Sequence, residues 1–241
     1  MIRIRSAAHT DIGRVRRRNE DRMIDDQELG LFGVADGVGG LPGGAEAAEL
    51  ALENIQAQLT AKPTKPNMVK FVREASHAVH ALGQELSPAT GIASTLSIGH
   101  LVGQTLHISH VGDSRCYALR GDIIEQLTTD HSVENEIRER RARGEDVHFH
   151  EINRNALTRC IGQPNKLEVD LYEYPLQPGD RILFCTDGIT GLMEDEELAN
   201  LLSEGREDEP LSVLKKIVAL ALQRGGHDNA TAVLLYIDST E

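Results

Sequence analysis

The 241-residue sequence predicts an α+β layered fold with sheets inside and helices outside. Two observations carry that expectation. Residues 91–127 alternate with period two through four short runs, the pattern of an antiparallel meander, which argues against a parallel Rossmann-type sheet. Apolar residues elsewhere recur at helical spacing in paired segments, 48–59 with 68–86 and 196–203 with 211–224, so strand runs alternate with helix pairs.

Residues 2–9 alternate through Ile2, Ile4, Ser6 and Ala8 like a first strand. The next stretch, DIGRVRRRNEDRMI, holds Arg14 and Arg16 to Arg18. Such a run reads as a nucleic-acid patch, a solvated edge, or a source of one anion-binding arginine beside Asn19-Glu20-Asp21. The run is short, lacks interleaved aromatics and sits in an acidic chain, which weighs against the first. Leu31 to Ala35 is then an unbroken apolar run that ends at Asp36-Gly37 and a glycine-rich turn feeding a helix. That turn lacks the GK[ST] ending of a phosphate loop.

Ala48, Leu52, Ile55 and Leu59 mark one face of a helix, and Met68, Val72, Ala75, Val79, Leu82 and Leu86 mark a second. His77 and His80 have a chelating spacing on it but no acidic companion in sequence, so a plain helix surface is the better reading. The meander follows, with turns near Gly103-Gln104 and Gly121-Asp122. Residues 132–160 are highly charged and weakly periodic, with a short helix from Val133 to Arg143 stopped by Gly144, and an HxH pair at His148-Phe149-His150. A surface excursion, or flap, suits that composition better than a metal site. Strands at 167–174 and 181–186, the second helix pair and a last strand at 230–237 complete the chain, with Gly225-Gly226 stopping the final helix.

Bulk composition narrows the function. The formal net charge of −13 disfavours nucleic acid and anionic membranes as partners. Three cysteines without CxxC spacing point to a reducing compartment rather than a disulfide framework. With no apolar leader and no run of membrane-spanning length, a cytoplasmic location is expected.

Asp36, Asp113, Asp187 and Asp228 all fall at the ends of β-like runs. A lone Asp-Gly reads as a hairpin turn. Yet neither Asp36-Gly37 nor Asp187-Gly188 is followed by a matching strand; each leads into a helix. Carboxylates gathered at one sheet edge would repel and resist burial unless cations neutralised them. Oxygen-only donors select Mg²⁺ or Mn²⁺, and two such ions suit phosphoryl transfer to water.

The ordered set GRVRRRNED, FGVADGVGG, GIASTL, HVGDSR, LTTDHS, RNALTRCIG, LFCTDGIT and GGHDNAT resembles the metal-dependent type 2C (PPM) protein serine/threonine phosphatases, most of all the short stand-alone bacterial members. The motifs run from Gly13 to Thr231 in family order. The resemblance implies one catalytic domain over residues 1–241, with a flap at about 132–160, folded as a four-layer αββα sandwich of two antiparallel sheets flanked by helix pairs. It implies Asp36 bridging two Mn²⁺ or Mg²⁺ ions, with the carbonyl of Gly37 on one and Asp187 and Asp228 on the other. By the same match, Asp113 and Asp187 hold a third, weaker ion, Asp21 binds through water, and Arg16 clamps the phosphate. Hydrolysis of phosphoserine and phosphothreonine by in-line attack of a metal-bridging water follows, with phosphorylated proteins as substrates, a Ser/Thr kinase as counterpart and a monomer as the default.

Two departures stand out. Val38 takes the place of the histidine that many eukaryotic relatives carry in DGHGG, leaving water as proton donor. The 132–160 excursion carries HFHE and arginine-rich content that the family pattern does not place. Rival readings are a metal-free pseudophosphatase, which the retained aspartates oppose, and a phosphatase of small phosphometabolites.

Overall fold

The computed structural model describes residues 2–38, 43–61, 66–147 and 156–240. A first strand, β1 (Ile2–Asp11), precedes a hairpin of β2 (Asp21–Asp26) and β3 (Leu31–Asp36). Helices α1 (Gly44–Thr60) and α2 (Met68–Leu86) come next, then β4 (Leu96–Val102), β5 (Thr105–Val111), β6 (Arg115–Arg120) and β7 (Ile123–Gln126). The excursion opens with α3 (Val133–Ala142), and the chain continues through β8 (Asp170–Pro175), β9 (Arg181–Cys185) and the single turn α4 (Asp187–Thr190). It closes with α5 (Asp195–Glu204), α6 (Pro210–Gln223) and β10 (Ala230–Thr240).

Among the described residues the strands form two antiparallel five-stranded sheets, ordered β1-β10-β9-β6-β7 and β2-β3-β4-β5-β8. Between them lie Phe32, Val34, Ile108, Phe184, Val233 and Leu235. Alternate residues of the same strands point the other way. Leu31 and Ala35 of β3 join α1 and α2 through Ile55, Val72 and Val79, whereas Leu183 and Leu234 meet α5 and α6 through Leu198, Leu214 and Val218. A strand covered on both faces has no polar side to display, which is why LFGVA and RILFC read as unbroken apolar runs. Each fully buried Leu, Ile or Val contributes roughly 1.5–3 kcal/mol relative to exposure. The four-layer αββα sandwich is thus observed.

The helices start where local chemistry allows. The Asn67 side chain accepts from the Lys70 N–H to cap α2. Glu194 and Glu197 cap α5 reciprocally, and Pro210 opens α6, where its missing N–H costs nothing.

Two elements depart from expectation. The meander does not stay in one sheet: β4 and β5 pair in one, β6 and β7 in the other. The chain crosses over at Gly112, whose φ of +108° and approach to Thr95, 2.7 Å from where a Cβ would sit, admit only glycine. Strand β8 begins at Asp170 instead of 167, because Leu167 turns into the core beneath α2 and its carbonyl accepts from Arg73 Nε at 2.9 Å. Residues 39–42 of the glycine-rich turn and the His148-Phe149-His150 triplet lie outside the described residues. No helix among the described residues is long and apolar enough to cross a membrane.

Candidate active site

Four aspartates meet at one end of the sandwich. Asp36 ends β3, Asp187 follows β9, Asp228 precedes β10, and Asp113 lies on the crossing from β5 to β6. With Arg16, Val38, Thr95 and Leu157 they line a cavity of about 290 Å³. Asp113 and Asp187 also face a neighbouring cavity of about 450 Å³ that Arg115, Asp130, Ser132 and Glu134 help to line. Asp21 stays behind this surface. It is the direct cross-strand partner of Asp36 in the β2–β3 hairpin, and it is buried. Like charges directly opposite across a sheet are destabilising, so this register needs a compensating cation or proton.

Hydroxyl groups hold the Asp36 backbone. Its N–H donates to Thr95 Oγ1 at 2.9 Å, its carbonyl accepts from Thr95 N–H at 2.8 Å and from Ser94 Oγ at 2.9 Å, and Ser114 Oγ lies 2.7 Å from Thr95 Oγ1. Both Asp-Gly steps are glycine for want of room. A Cβ at Gly37 would stand 2.3 Å from the Gly44 backbone, and one at Gly188 would stand 1.9 Å from the Asn229 carbonyl oxygen. Thr186 Oγ1 donates to Asp21 Oδ2 at 2.9 Å, tying one sheet to the other.

Asn229 fixes the loop that presents Arg16. Its side chain accepts from the Glu20 N–H at 2.9 Å and donates to the carbonyls of Ile12 at 2.8 Å and Arg18 at 3.0 Å. Arg16 Nη2 then donates to Asp228 Oδ2 at 2.6 Å, while Asp228 Oδ1 accepts from Asn229 N–H. Elsewhere in the basic run, Arg18 pairs with Glu46 at 3.3 Å. On α2, His77 is exposed and His80 Nδ1 lies 3.1 Å from the Gly162 carbonyl oxygen, so the pair serves as helix surface and contact.

The electrostatics record the crowding. Burial first, then Asp187 and Asp228, push the Asp21 carboxyl up to about 7 against hydrogen bonds from Thr231 and Thr186. Asp36 lies well above the usual carboxylate range, through burial and then the charges of Asp21, Asp187, Asp113 and Asp228. Burial and then Asp187 and Asp130 bring Asp113 to about 7. Asp187 is raised by burial and Asp228, partly offset by Asp36 and Arg16. Four carboxyls shifted the same way, by burial first and then by one another, form a pocket that resists carrying its full negative charge without a counter-ion.

Divalent cations fit that pocket. Asp21 Oδ1 and Asp187 Oδ1 are buried without a hydrogen-bond partner. The donors are oxygens, the choice of Mg²⁺ and Mn²⁺. Among the described residues no group of three or more His, Cys, Asp or Glu side chains is drawn together closely enough to hold a metal ion by side chains alone. An open carboxylate set with room for water matches a hard cation that keeps part of its hydration shell, and it would not match structural zinc.

Ser94, Thr95, Thr186 and Asn229 have a place here that the sequence reading did not assign. All four sit inside the motifs it used, and GIASTL, CTDG and HDNAT were their only signal.

Residues 8–230 match the protein phosphatase 2C family model. The chain belongs to the protein phosphatase 2C family. Serine/threonine phosphatase stp of Listeria monocytogenes is 32% identical over 245 residues, 96% of this chain and 95% of the relative. Protein phosphatase PhpP of Streptococcus pneumoniae is 28% identical, over 96% of this chain and 97% of its own. Among solved structures, PppA, described as a key regulatory component of T6SS in Pseudomonas aeruginosa, superposes with a TM-score of 0.83 at 31% identity, covering 97% of each chain. The catalytic domain of the serine threonine protein phosphatase PstP, solved with two manganese ions, superposes with a TM-score of 0.82 at 27% identity, over 99% of this chain and all of that domain. Protein phosphatase 2C proteins thus share nearly all of this chain's length as well as its fold.

Proposed function

We propose that this phosphatase hydrolyses phosphoserine and phosphothreonine in proteins by in-line attack of water on phosphorus, at a site holding two Mn²⁺ or Mg²⁺ ions and a third, weaker one. One observation carries the reading. Aspartates from both sheets meet at a single cavity with one arginine, and burial first, then the neighbouring carboxylates, raise the carboxyls of Asp36, Asp113 and Asp187.

Asp36, Asp187, Asp228 and the Gly37 carbonyl would hold the pair of ions, Asp113 with Asp187 the third, and Asp21 would bind through water. Bound there, the ions supply Lewis acidity toward the phosphoryl oxygens and ionise the attacking water. Arg16 supplies the planar fork for a phosphate, pre-aimed by its contact with Asp228. Val38 and Leu157 give the cavity an apolar rim that limits water around the phosphate. No histidine is among the described residues lining it, so the departing alcohol takes its proton from water.

The chain acts as one catalytic domain with a flap at about 132–160, whose residues Ser132, Glu134 and Leu157 line the cavities of the site. Its counterpart is a Ser/Thr kinase of a bacterial signalling system, and its substrates are the proteins which that kinase phosphorylates. Free Cys116, Cys160 and Cys185 suit the cytoplasm and a monomer. The deciding measurement is phosphate release from a phosphothreonine peptide with Mn²⁺, compared with EDTA and with Asp187→Ala. Turnover that requires Mn²⁺ and vanishes in the variant is expected. A folded, Mn²⁺-loaded protein inert on phosphopeptides but active on small phosphate esters would move the reading to phosphometabolites. Inertness on both would leave a binding module.

A further inference from the structure

The described ends of the excursion that α3 opens pair with each other at a neck where it leaves and rejoins the body. Ser132 and Leu157 form an antiparallel bridge, Val133 N–H donates to the Ala156 carbonyl at 2.9 Å, and Thr158 N–H donates to the His131 carbonyl at 2.9 Å. His131, at the base of this neck, grips the backbone of Gly112 on both sides. Its N–H donates to the Gly112 carbonyl at 2.7 Å, and its Nδ1 accepts from the Gly112 N–H at 3.0 Å.

An Nδ1 that accepts leaves the proton on Nε2, which faces Asp170 Oδ2 at 3.1 Å. Burial holds the imidazole below its ordinary range and so keeps it in this neutral form. Asp170 Oδ1 accepts from Arg159 Nη1 at 2.6 Å, so the returning leg of the excursion is tied to the same carboxylate. Tyr172 Oη adds a contact to Asp170 Oδ2 at 3.3 Å. One carboxylate on edge strand β8 therefore joins the outgoing leg, the returning leg and the backbone at Gly112.

Gly112 is the residue before Asp113. The Asp113 carboxylate is hydrogen-bonded by its own backbone, which His131 grips one residue earlier, so its aim depends on that backbone. The excursion also reaches the same place from the other side. Ser132 and Glu134, at the start of α3, line the cavity that Asp113 and Asp187 face, and Asn135 Nδ2 seats the helix on the Asp130 carbonyl at 2.9 Å.

We infer that His131 and Asp170 are positioning residues, a latch through which the seating of α3 and the cation affinity at Asp113 and Asp187 depend on one another. The inference rests on the proposed role of Asp113 as a ligand of the weaker ion. A latch of this kind works in both directions, since coupling between two sites is reciprocal. An ion at Asp113 steadies α3, and a seated α3 tightens the ion.

The test uses the full chain and four proteins: the native sequence, Asp113→Asn, Asp170→Asn and His131→Asn. Calorimetric titration with Mn²⁺ is run beside hydrogen exchange of the α3 amides, with and without Mn²⁺. In the native protein Mn²⁺ is expected to slow α3 exchange. In Asp170→Asn the weakest Mn²⁺ affinity is expected to fall by about tenfold or more, as for other residues that orient a ligand, with the tighter sites unchanged. Mn²⁺ is also expected to lose its effect on α3 exchange there, and KM for a phosphothreonine peptide to rise while kcat at saturating Mn²⁺ holds. His131→Asn guards against a peculiarity of the Asp170 variant and is expected to behave alike. If Asp113→Asn changes the isotherm but Asp170→Asn and His131→Asn lower only the melting temperature, the latch is purely structural and the inference fails. If Asp113→Asn leaves the isotherm unchanged, the ligand role of Asp113 fails and takes the coupling with it, whatever the latch variants do.

Discussion

Asp36 is opposed by its surroundings, and its replacement separates function from stability. Asp36→Asn removes a charge that burial and four neighbouring aspartates disfavour. The variant is expected to melt higher than the native protein in EDTA at neutral pH, yet to lose phosphatase activity by about 10²–10³-fold or more. Scanning calorimetry in EDTA and a phosphopeptide assay in Mn²⁺ would show both; a lower melting temperature in EDTA would contradict the repulsion argument. Arg16→Ala is expected to lower kcat/KM by about 10²-fold, with Arg16→Lys recovering only part, because an ammonium cannot reproduce a two-pronged contact.

The same carboxyls give a pH dependence with a definite sign. Asp21 and Asp113 lie near 7 in the folded, metal-free chain and near 4 when unfolded. Between those values the folded state holds more protons than the unfolded one. The stability they contribute is thus complete below about pH 4 and is lost as pH rises through about 7. In EDTA, the melting temperature of the native protein relative to an Asp21→Asn, Asp113→Asn double variant is expected to fall from pH 5 to pH 8. Saturating Mn²⁺ should remove the trend by neutralising the carboxylates at every pH.

At the scale of elements, the two strand-to-helix corners are the tightest joints. Gly188→Ala would drive a methyl group into the Asn229 carbonyl, 1.9 Å away, and so displace both Asp187 and the loop that Asn229 holds. A loss of about 3 kcal/mol or more is expected in urea unfolding, with a lower Mn²⁺ affinity in the same variant. These corners were legible in the sequence because an apolar run ending in Asp-Gly without a return strand has few other meanings. The sheet change at Gly112 was not, since period-two alternation continues through β5 and β6 whichever sheet each strand joins. Nor were the roles of Thr95, Thr186 and Asn229 legible: their hydrogen bonds span 59, 165 and 209 residues of chain, and a small polar side chain carries no periodic signal of its distant partner. The latch on His131 was hidden for the same reason, its contacts reaching Gly112 and Asp170 from opposite directions.

At the scale of the whole molecule, cation binding is part of folding stability. An ion present at about 100 times its dissociation constant adds about 2.7 kcal/mol, which for a chain of this size is a rise of roughly 5–10 °C in melting temperature. Calorimetry with Mn²⁺ against EDTA is expected to show that rise in the native protein and little of it in Asp36→Asn. The layered architecture was legible from the helix pairs and the meander, and the place where its layers come closest to repelling one another was legible from the aspartates.

The two sheets are fastened unequally. Along most of their length Phe32, Ile108, Phe184 and Val233 press together, while at one mouth acidic groups from both sheets confront each other, with the hydroxyls of Thr186 and Thr231 reaching across to Asp21. Departure of the ions therefore loosens one lip of the clasp first and leaves the hydrocarbon end shut. In a cell starved of manganese and magnesium such a protein would fray from its working end and become prey to proteolysis before it unfolded elsewhere. Scarcity would then shorten the enzyme's lifetime as well as slow its turnover, making abundance a readout of ion supply.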